Sequence, residues 1–401
     1  MIIQGIYQYV GPDFLEAGQR YGQGRGRKAG ILVLWFVLFS AVLLGGRADA
    51  AFAGSEGQQL CSGKTSAEPL DIQRYVEING IRQWVTIKGS KCSNPVILNV
   101  HGGPGNPVSN IASQLYKEWE EEFTVVNWDQ RGSGRTFEAN HEYDHELSVE
   151  ETVALMKASR LDVALLVEDG LELTDYILKL LNKDKLILTG TSWGTVPATH
   201  MAATAPERFY FYVSVSPITN YRRNTAASYQ QVRERALEYG DQEAIRTLDS
   251  IGPPPWSELR SFGRLRRIIR AYEAKVTGDH AVGSLAEALI PDVYKTERAR
   301  MAYLNGENLS FLKYLGLNRD GMAQSIALDE QVTAFEIPVY VVQGAEDLLM
   351  VPEVTERYFD LISAPEKAYS KLERSGHETN WPILRQQLEF FRIGMNKVRA
   401  Q

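Results

Sequence analysis

A serine set between two glycines, Gly190-Thr191-Ser192-Trp193-Gly194, follows the apolar run Leu186-Ile187-Leu188 and precedes a helix-compatible stretch from Val196 through Ala205. No other feature of the chain constrains its fold as tightly. A strand, a sharp turn and a helix in succession lift a hydroxyl clear of the backbone, and glycines flank it because a side chain at either position would collide with a neighbouring element. Ser192 is the candidate nucleophile that this turn presents.

The rest of the chain supplies a sheet around that turn. Two alternating runs from Arg74 to Ile87 flank Asn79-Gly80, a strong hairpin signal. Pro95 to Val100 reads as an apolar strand ending in His101-Gly102-Gly103-Pro104-Gly105, and Phe123 to Trp128 as the next, ending in Asp129-Gln130-Arg131-Gly132. Runs apolar on both faces suit buried parallel strands. Between Ser159 and Leu181 apolar residues recur at helical spacing, and Gly170 weakens that helix locally. Phe209 to Val215 is a further strand. From Pro217 to Thr333 the chain turns to Arg, Glu, Tyr and Ala without strand-like runs, so helices are expected there. Strand signals return at Pro338 to Gln343 and at Lys367 to Leu372. Alternating strand and helix, with a helical insertion after the sixth strand, is the pattern of an α/β-hydrolase fold: a mostly parallel sheet flanked by helices, carrying a cap.

That organisation divides the chain into an N-terminal segment 1–50, a first core part 51–216, a helical cap 217–333 and a second core part 334–401. A tandem pair of domains is the weaker reading, because candidate catalytic residues near the middle and near the C-terminus must meet in one site.

A serine hydroxyl attacks poorly until a base takes its proton, and the base needs a third group to fix its tautomer and balance its charge. Ser192, Asp347 and His377 stand in the order nucleophile, acid, base, each after a strand signal. Of the six histidines, His101, His141, His145, His200 and His280 do not follow the acid. Glu346 is the rival to Asp347. A tetrahedral oxyanion requires two backbone N–H donors, one from the residue after the nucleophile and one from the loop after the third strand, which assigns Trp193 and Gly103. The alternatives are a lone structural serine in a non-catalytic binding protein on the same fold, and a glycine turn with no ligand.

The blocks His101 to Gly105, Asp129-Gln130-Arg131-Gly132-Ser133-Gly134-Arg135-Thr136 and Gly190 to Gly194 resemble the H-G-G-P-G, D-Q-R-G-x-G-x-S/T and G-x-S-W-G hallmarks of the proline iminopeptidase family of α/β hydrolases. The match runs from Arg74 to Val215 and again from Ile337 to His377, and Asn106 departs from it where a further glycine is common. The resemblance implies an enzyme without cofactor or metal that releases an N-terminal proline or other small residue from short peptides, with cap acids pairing with the substrate amine. Acids such as Glu234, Asp241, Glu273 and Glu297 are available in the insertion, each also readable as part of a solvated helix face. An esterase or lipase-like hydrolase on the same three residues is the alternative.

A formal net charge of -7 opposes a nucleic-acid partner, since phosphate binding needs clustered Lys and Arg. Arg25, Arg27 and Lys28 precede the uncharged stretch Ile31 to Leu44, and Ala48-Asp49-Ala50 follows. That is the layout of a secretory signal, and a membrane span would need roughly 20 apolar residues. Export is expected, with a retained anchor through 31–44 as the alternative. The two cysteines, Cys61 and Cys92, read either as a disulfide suited to an exported protein or as two free thiols.

Overall fold

The computed structural model describes residues 61, 67–143, 145–256, 259–278 and 294–400. The segment read as a secretory signal or anchor, and His280, lie outside the described residues.

Eight strands form one sheet: β1 (Leu70–Ile78), β2 (Ile81–Gly89), β3 (Val96–Val100), β4 (Thr124–Trp128), β5 (Leu186–Thr191), β6 (Phe209–Val215), β7 (Val339–Gly344) and β8 (Lys367–Leu372). Their spatial order is β1-β2-β4-β3-β5-β6-β7-β8. The hairpin β1–β2 and the β2–β4 pair are antiparallel, and every pairing from β4 to β8 is parallel. Asn79 and Gly80 both take positive φ at the hairpin tip, 44° and 73°, as a two-residue turn matching strand twist requires. This is the α/β-hydrolase fold expected from the motif order.

The central strands are apolar throughout because both faces are covered. Along β3, Val96, Leu98 and Val100 face one core while Ile97 faces the other; along β7, Val339 and Val341 oppose Tyr340 and Val342 in the same way. One face carries α4 (Val163–Leu181) and α5 (Thr195–Thr204), the other α1 (Lys117–Glu122) and the C-terminal α11 (Trp381–Ala400). Between α1 and α4 lie α2 (Gly134–Asn140) and α3 (Val149–Ala158), and α10 (Pro352–Leu361) connects β7 to β8.

Among the described residues, four helices of eight or more residues separate β6 from β7: α6 (Tyr221–Glu238), α7 (Gln242–Ile251), α8 (Leu259–Thr277) and α9 (Glu297–Leu315). α9 buries polar side chains as well as apolar ones: the Asn305 amide bonds Leu147 N–H and His145 C=O, and Ser310 Oγ donates to Gly132 C=O at 2.8 Å. Those bonds seat the insertion on the segment after β4. Cys61 and Cys92 are joined by a disulfide, which anchors the chain before β1 to the β2–β3 connection. No helix among the described residues is long and apolar enough to cross a membrane.

Candidate active site

Ser192 leaves the end of β5 with φ of 52°, in the left-handed region that an L-residue occupies only when its surroundings enforce it. The enforcement is steric. A Cβ on Gly190 would come within 2.6 Å of Gly194 C=O, and one on Gly194 within 2.6 Å of His101 C=O, so the turn is pressed against the end of β3. Thr195 Oγ1 donates to Ser192 C=O at 2.6 Å and closes the turn into α5.

The acid and the base arrive from two neighbouring strand ends. Asp347 follows β7 by three residues and is fully buried; His377 follows β8 by five. His377 Nε2 lies 3.0 Å from Ser192 Oγ, and its Nδ1 lies 3.0 Å from Asp347 Oδ2. With Nδ1–H donating to the carboxylate, Nε2 is left as the acceptor for the serine hydroxyl. Asp347 is itself held: Oδ1 accepts the N–H groups of Leu349 and Met350 at 3.0 and 2.6 Å, and Oδ2 accepts from the Gln343 amide at 3.1 Å. Burial pulls His377 down, but the Asp347 charge and hydrogen bond, helped by Glu273 and Glu378, outweigh it and hold the imidazole above its ordinary value of 6.5.

The glycine loop, His101 to Gly105, lies against the tight turn at Ser192, the elbow between β5 and α5. A Cβ on Gly102 would sit 3.3 Å from Ser192 Cβ, and Gly103 takes φ of 115°, which disfavours any other residue there. His101, at the start of that loop, is a brace. Its Nδ1 donates to Gly102 C=O at 2.8 Å and its Nε2 accepts Gln130 N–H at 3.2 Å, a pattern only the neutral ring provides; burial pushes it down to about 4. Gln130 then joins the two halves of the site, its amide donating to His101 C=O at 2.8 Å and accepting from Trp193 Nε1 at 3.2 Å.

Ser192, Asp347 and His377 are thus brought together, with Trp193 next in the chain and Gly103 one residue beyond Gly102, which lies against the serine. Glu346, the rival acid, instead faces Arg235 at 3.8 Å. His141 lies tilted against Phe137 with ring centroids 4.4 Å apart, and His145 meets Glu151 at 3.3 Å. The acids of the insertion divide by location. Asp241 caps α7, and Glu234 and Glu297 bond near neighbours on their own helices, whereas Glu273 is buried against the loops of Asp347 and His377. Glu307, unremarked in the sequence, accepts from Asn106 Nδ2 at 2.7 Å and packs its Cα against Gly105. Its helix, α9, has buried residues on every side, so no amphipathic stripe singled out this position. Gln343 was equally silent, sitting inside a strand pattern. Among the described residues, no group of three or more His, Cys, Asp or Glu side chains could hold a metal ion.

A family profile described as alpha/beta hydrolase fold matches residues 95–249. The chain is 28% identical over 312 residues to the protein named probable aminopeptidase YbaC of Bacillus subtilis (strain 168), an alignment covering 77% of this chain and 91% of that one. Among solved structures it is similar to the proline iminopeptidase of Mycobacterium smegmatis, with TM-score 0.54, 16% identity and coverage of 82% and 98% of the two chains. A proline iminopeptidase-related protein of Thermus thermophilus gives TM-score 0.52 at 19% identity, covering 82% and 98%. At those identities the structures speak for the fold; with the profile and the aminopeptidase-named relative they support the proline iminopeptidase-like resemblance carried by the three glycine-bearing blocks.

Proposed function

We propose that this hydrolase, built on the α/β-hydrolase fold, is a serine hydrolase that works through an acyl-enzyme and acts as an aminopeptidase on short peptides. The observation that carries the reading is the continuous hydrogen-bonded line Asp347, His377, Ser192, with 3.0 Å at each of its two contacts. In this mechanism His377 Nε2 takes the Ser192 proton as Oγ adds to the scissile carbonyl. The oxyanion is met by the N–H groups of Gly103 and Trp193, and the leaving amine takes the proton back from His377. Water, activated by the same imidazole, then releases the acyl group.

Peptidase over esterase activity is favoured by Glu307. Burying a substrate ammonium is costly unless a carboxylate pairs with it, and an esterase has no such need. Glu307 stands beside the glycine loop with Asn106 holding one oxygen, and burial, opposed by the Asn106 bond and by Arg266 and Arg270, raises its carboxyl above the usual range. Export is part of the proposal, supported by the charge and hydropathy layout of residues 25–50 and by the Cys61–Cys92 disulfide.

The test is hydrolysis of prolyl and small-residue arylamides, free and N-acetylated, alongside short acyl esters. Free-amine arylamides should be cleaved and their acetylated forms not. Ser192→Ala should lose at least about 1000-fold in kcat together with covalent labelling by a fluorophosphonate. Glu307→Gln should lower kcat/KM on free-amine arylamides by about 100-fold and leave labelling intact. Equal rates on free and acetylated substrates would leave the esterase; full activity in Ser192→Ala would sink the serine mechanism.

A further inference from the structure

Glu273, on α8 of the insertion, is 4% exposed and takes no part in the mechanism above. Its two carboxyl oxygens accept from two different loops: Oε1 from Leu348 N–H at 2.8 Å, and Oε2 from His377 N–H at 2.9 Å. Leu348 is the residue after the acid, and His377 is the base itself. Contact with the base loop is close enough that a Cβ on Gly376 would come within 2.5 Å of Glu273 Oε2. One turn earlier on the same helix, Arg270 Nε lies 3.3 Å from Glu378 Oε1, with Arg266 at 4.0 Å from the same oxygen. Residues 376, 377 and 378 are therefore all held by α8. The two loops also meet through Glu346 N–H and Ser375 C=O at 2.9 Å, but that bond lies on the N-terminal side of both catalytic residues.

We propose that Glu273 is a positioning residue: it sets the separation of the Asp347 and His377 loops through their main-chain N–H groups, so that α8 must be docked for the base to align with Ser192. The proposal rests on the Ser192, His377, Asp347 reading. Its physical basis is that a carboxyl group whose two oxygens each accept an N–H from a different loop fixes both loops relative to a third element, and reacting groups lose about 100-fold in rate for about 1 Å of misplacement. The insertion is then a part of the catalytic frame as well as a cover over it.

The charges facing Glu273 are Asp347 and His377 from the two loops, Glu378 beyond them and Arg266 on its own helix. Burial, then the Asp347 charge, push the Glu273 carboxyl up to about 8, with His377 and the two N–H bonds acting against them. As pH rises through that range a carboxylate forms beside His377. It strengthens both N–H bonds and stabilises the imidazolium made when Ser192 attacks, so kcat should rise a second time near pH 8, above the rise that belongs to His377.

The experiment compares the full chain with Glu273→Gln and Glu273→Ala, with kcat expressed per fluorophosphonate-reactive Ser192 and with thermal unfolding measured on each. Gln keeps the shape and one acceptor but turns an amide N–H₂ toward the second loop, and Ala removes both acceptors. Expected are kcat losses of about 10-fold for Gln and about 100-fold for Ala with KM within about twofold, and loss of the second rise near pH 8 in both. A folded, fully labelled Glu273→Gln enzyme with wild-type kcat and pH profile would overturn the proposal. So would an effect confined to KM or to the unfolding temperature. A wild-type enzyme whose Ser192 takes no label overturns the triad reading, and the proposal with it.

Discussion

Asp347 and Glu346 are adjacent carboxylates that the chain treats in opposite ways. Asp347 is wholly buried and receives two main-chain N–H groups and an amide before it meets His377, whereas Glu346 is directed to Arg235. Asp347→Asn should lower kcat by about 10,000-fold, because an amide cannot hold the Nδ1–H tautomer or balance the imidazolium. Glu346→Gln should stay within about twofold, since partly exposed ion pairs contribute little. The pH profile has a definite sign. His377 must be neutral to accept the serine proton, and its value is raised, so kcat/KM should fall as pH is lowered with its half-point above 6.5. A half-point below 6.5, or damage from Glu346→Gln in place of Asp347→Asn, would refute this assignment of the acid. At this scale the placement of Ser192, Asp347, His377, Gly103 and Trp193 after strand ends was legible, because the apolar runs that precede them are visible in the sequence. Glu307 and Gln343 were not legible: α9 has no amphipathic stripe against which Glu307 could stand out, and Gln343 sits inside an apolar strand run.

Elements with one strong local signal lie where the sequence puts them. β8 coincides with Lys367 to Leu372, α4 ends at Leu181, and the hairpin turns on Asn79-Gly80. α9 shows the opposite case. It buries Asn305, Asn308 and Ser310 beside Leu309 and Leu312, so its hydrophobic pattern fades, and its position is decided by polar contacts to residues more than 150 positions away. Gly170, read as a weak point of α4, has a packing reason: a Cβ there would come within 2.5 Å of the Met201 sulfur on α5. Two glycines separate backbone strain from crowding. Gly80 has φ of 73° and nothing within 4 Å of an added Cβ, so Gly80→Ala should cost about 1 kcal/mol. Gly190→Ala places its Cβ 2.6 Å from Gly194 C=O and 3.0 Å from Ala198 Cβ, and should cost about 3 kcal/mol or more. Urea midpoints for the two variants test the difference; equal losses would mean that the elbow relaxes freely.

Across the whole molecule, the sheet gathers residues 192, 347 and 377 at the carboxyl ends of strands β5, β7 and β8, where open parallel sheets place their ligands. The disulfide acts on the same scale. It closes a separation of 31 residues, so Cys92→Ala should lower unfolding free energy by about 3 kcal/mol while leaving kcat unchanged, as denaturant titration and turnover would report. A loss below about 1 kcal/mol would show that the segment before β1 is little restrained in the folded state. The strands, the tight turn at Ser192, the order of Ser192, Asp347 and His377 after their strands, and the glycine loop can be read locally, because each depends on periodicity or turn chemistry within about ten neighbouring residues. Three-dimensional packing alone settles whether Cys61 and Cys92 are joined or free, that Glu307 meets Asn106, and that Glu273 spans the loops of Asp347 and His377. Those are contacts between side chains and main chain far apart in sequence, and a local pattern carries no record of which distant N–H a buried carboxylate will find.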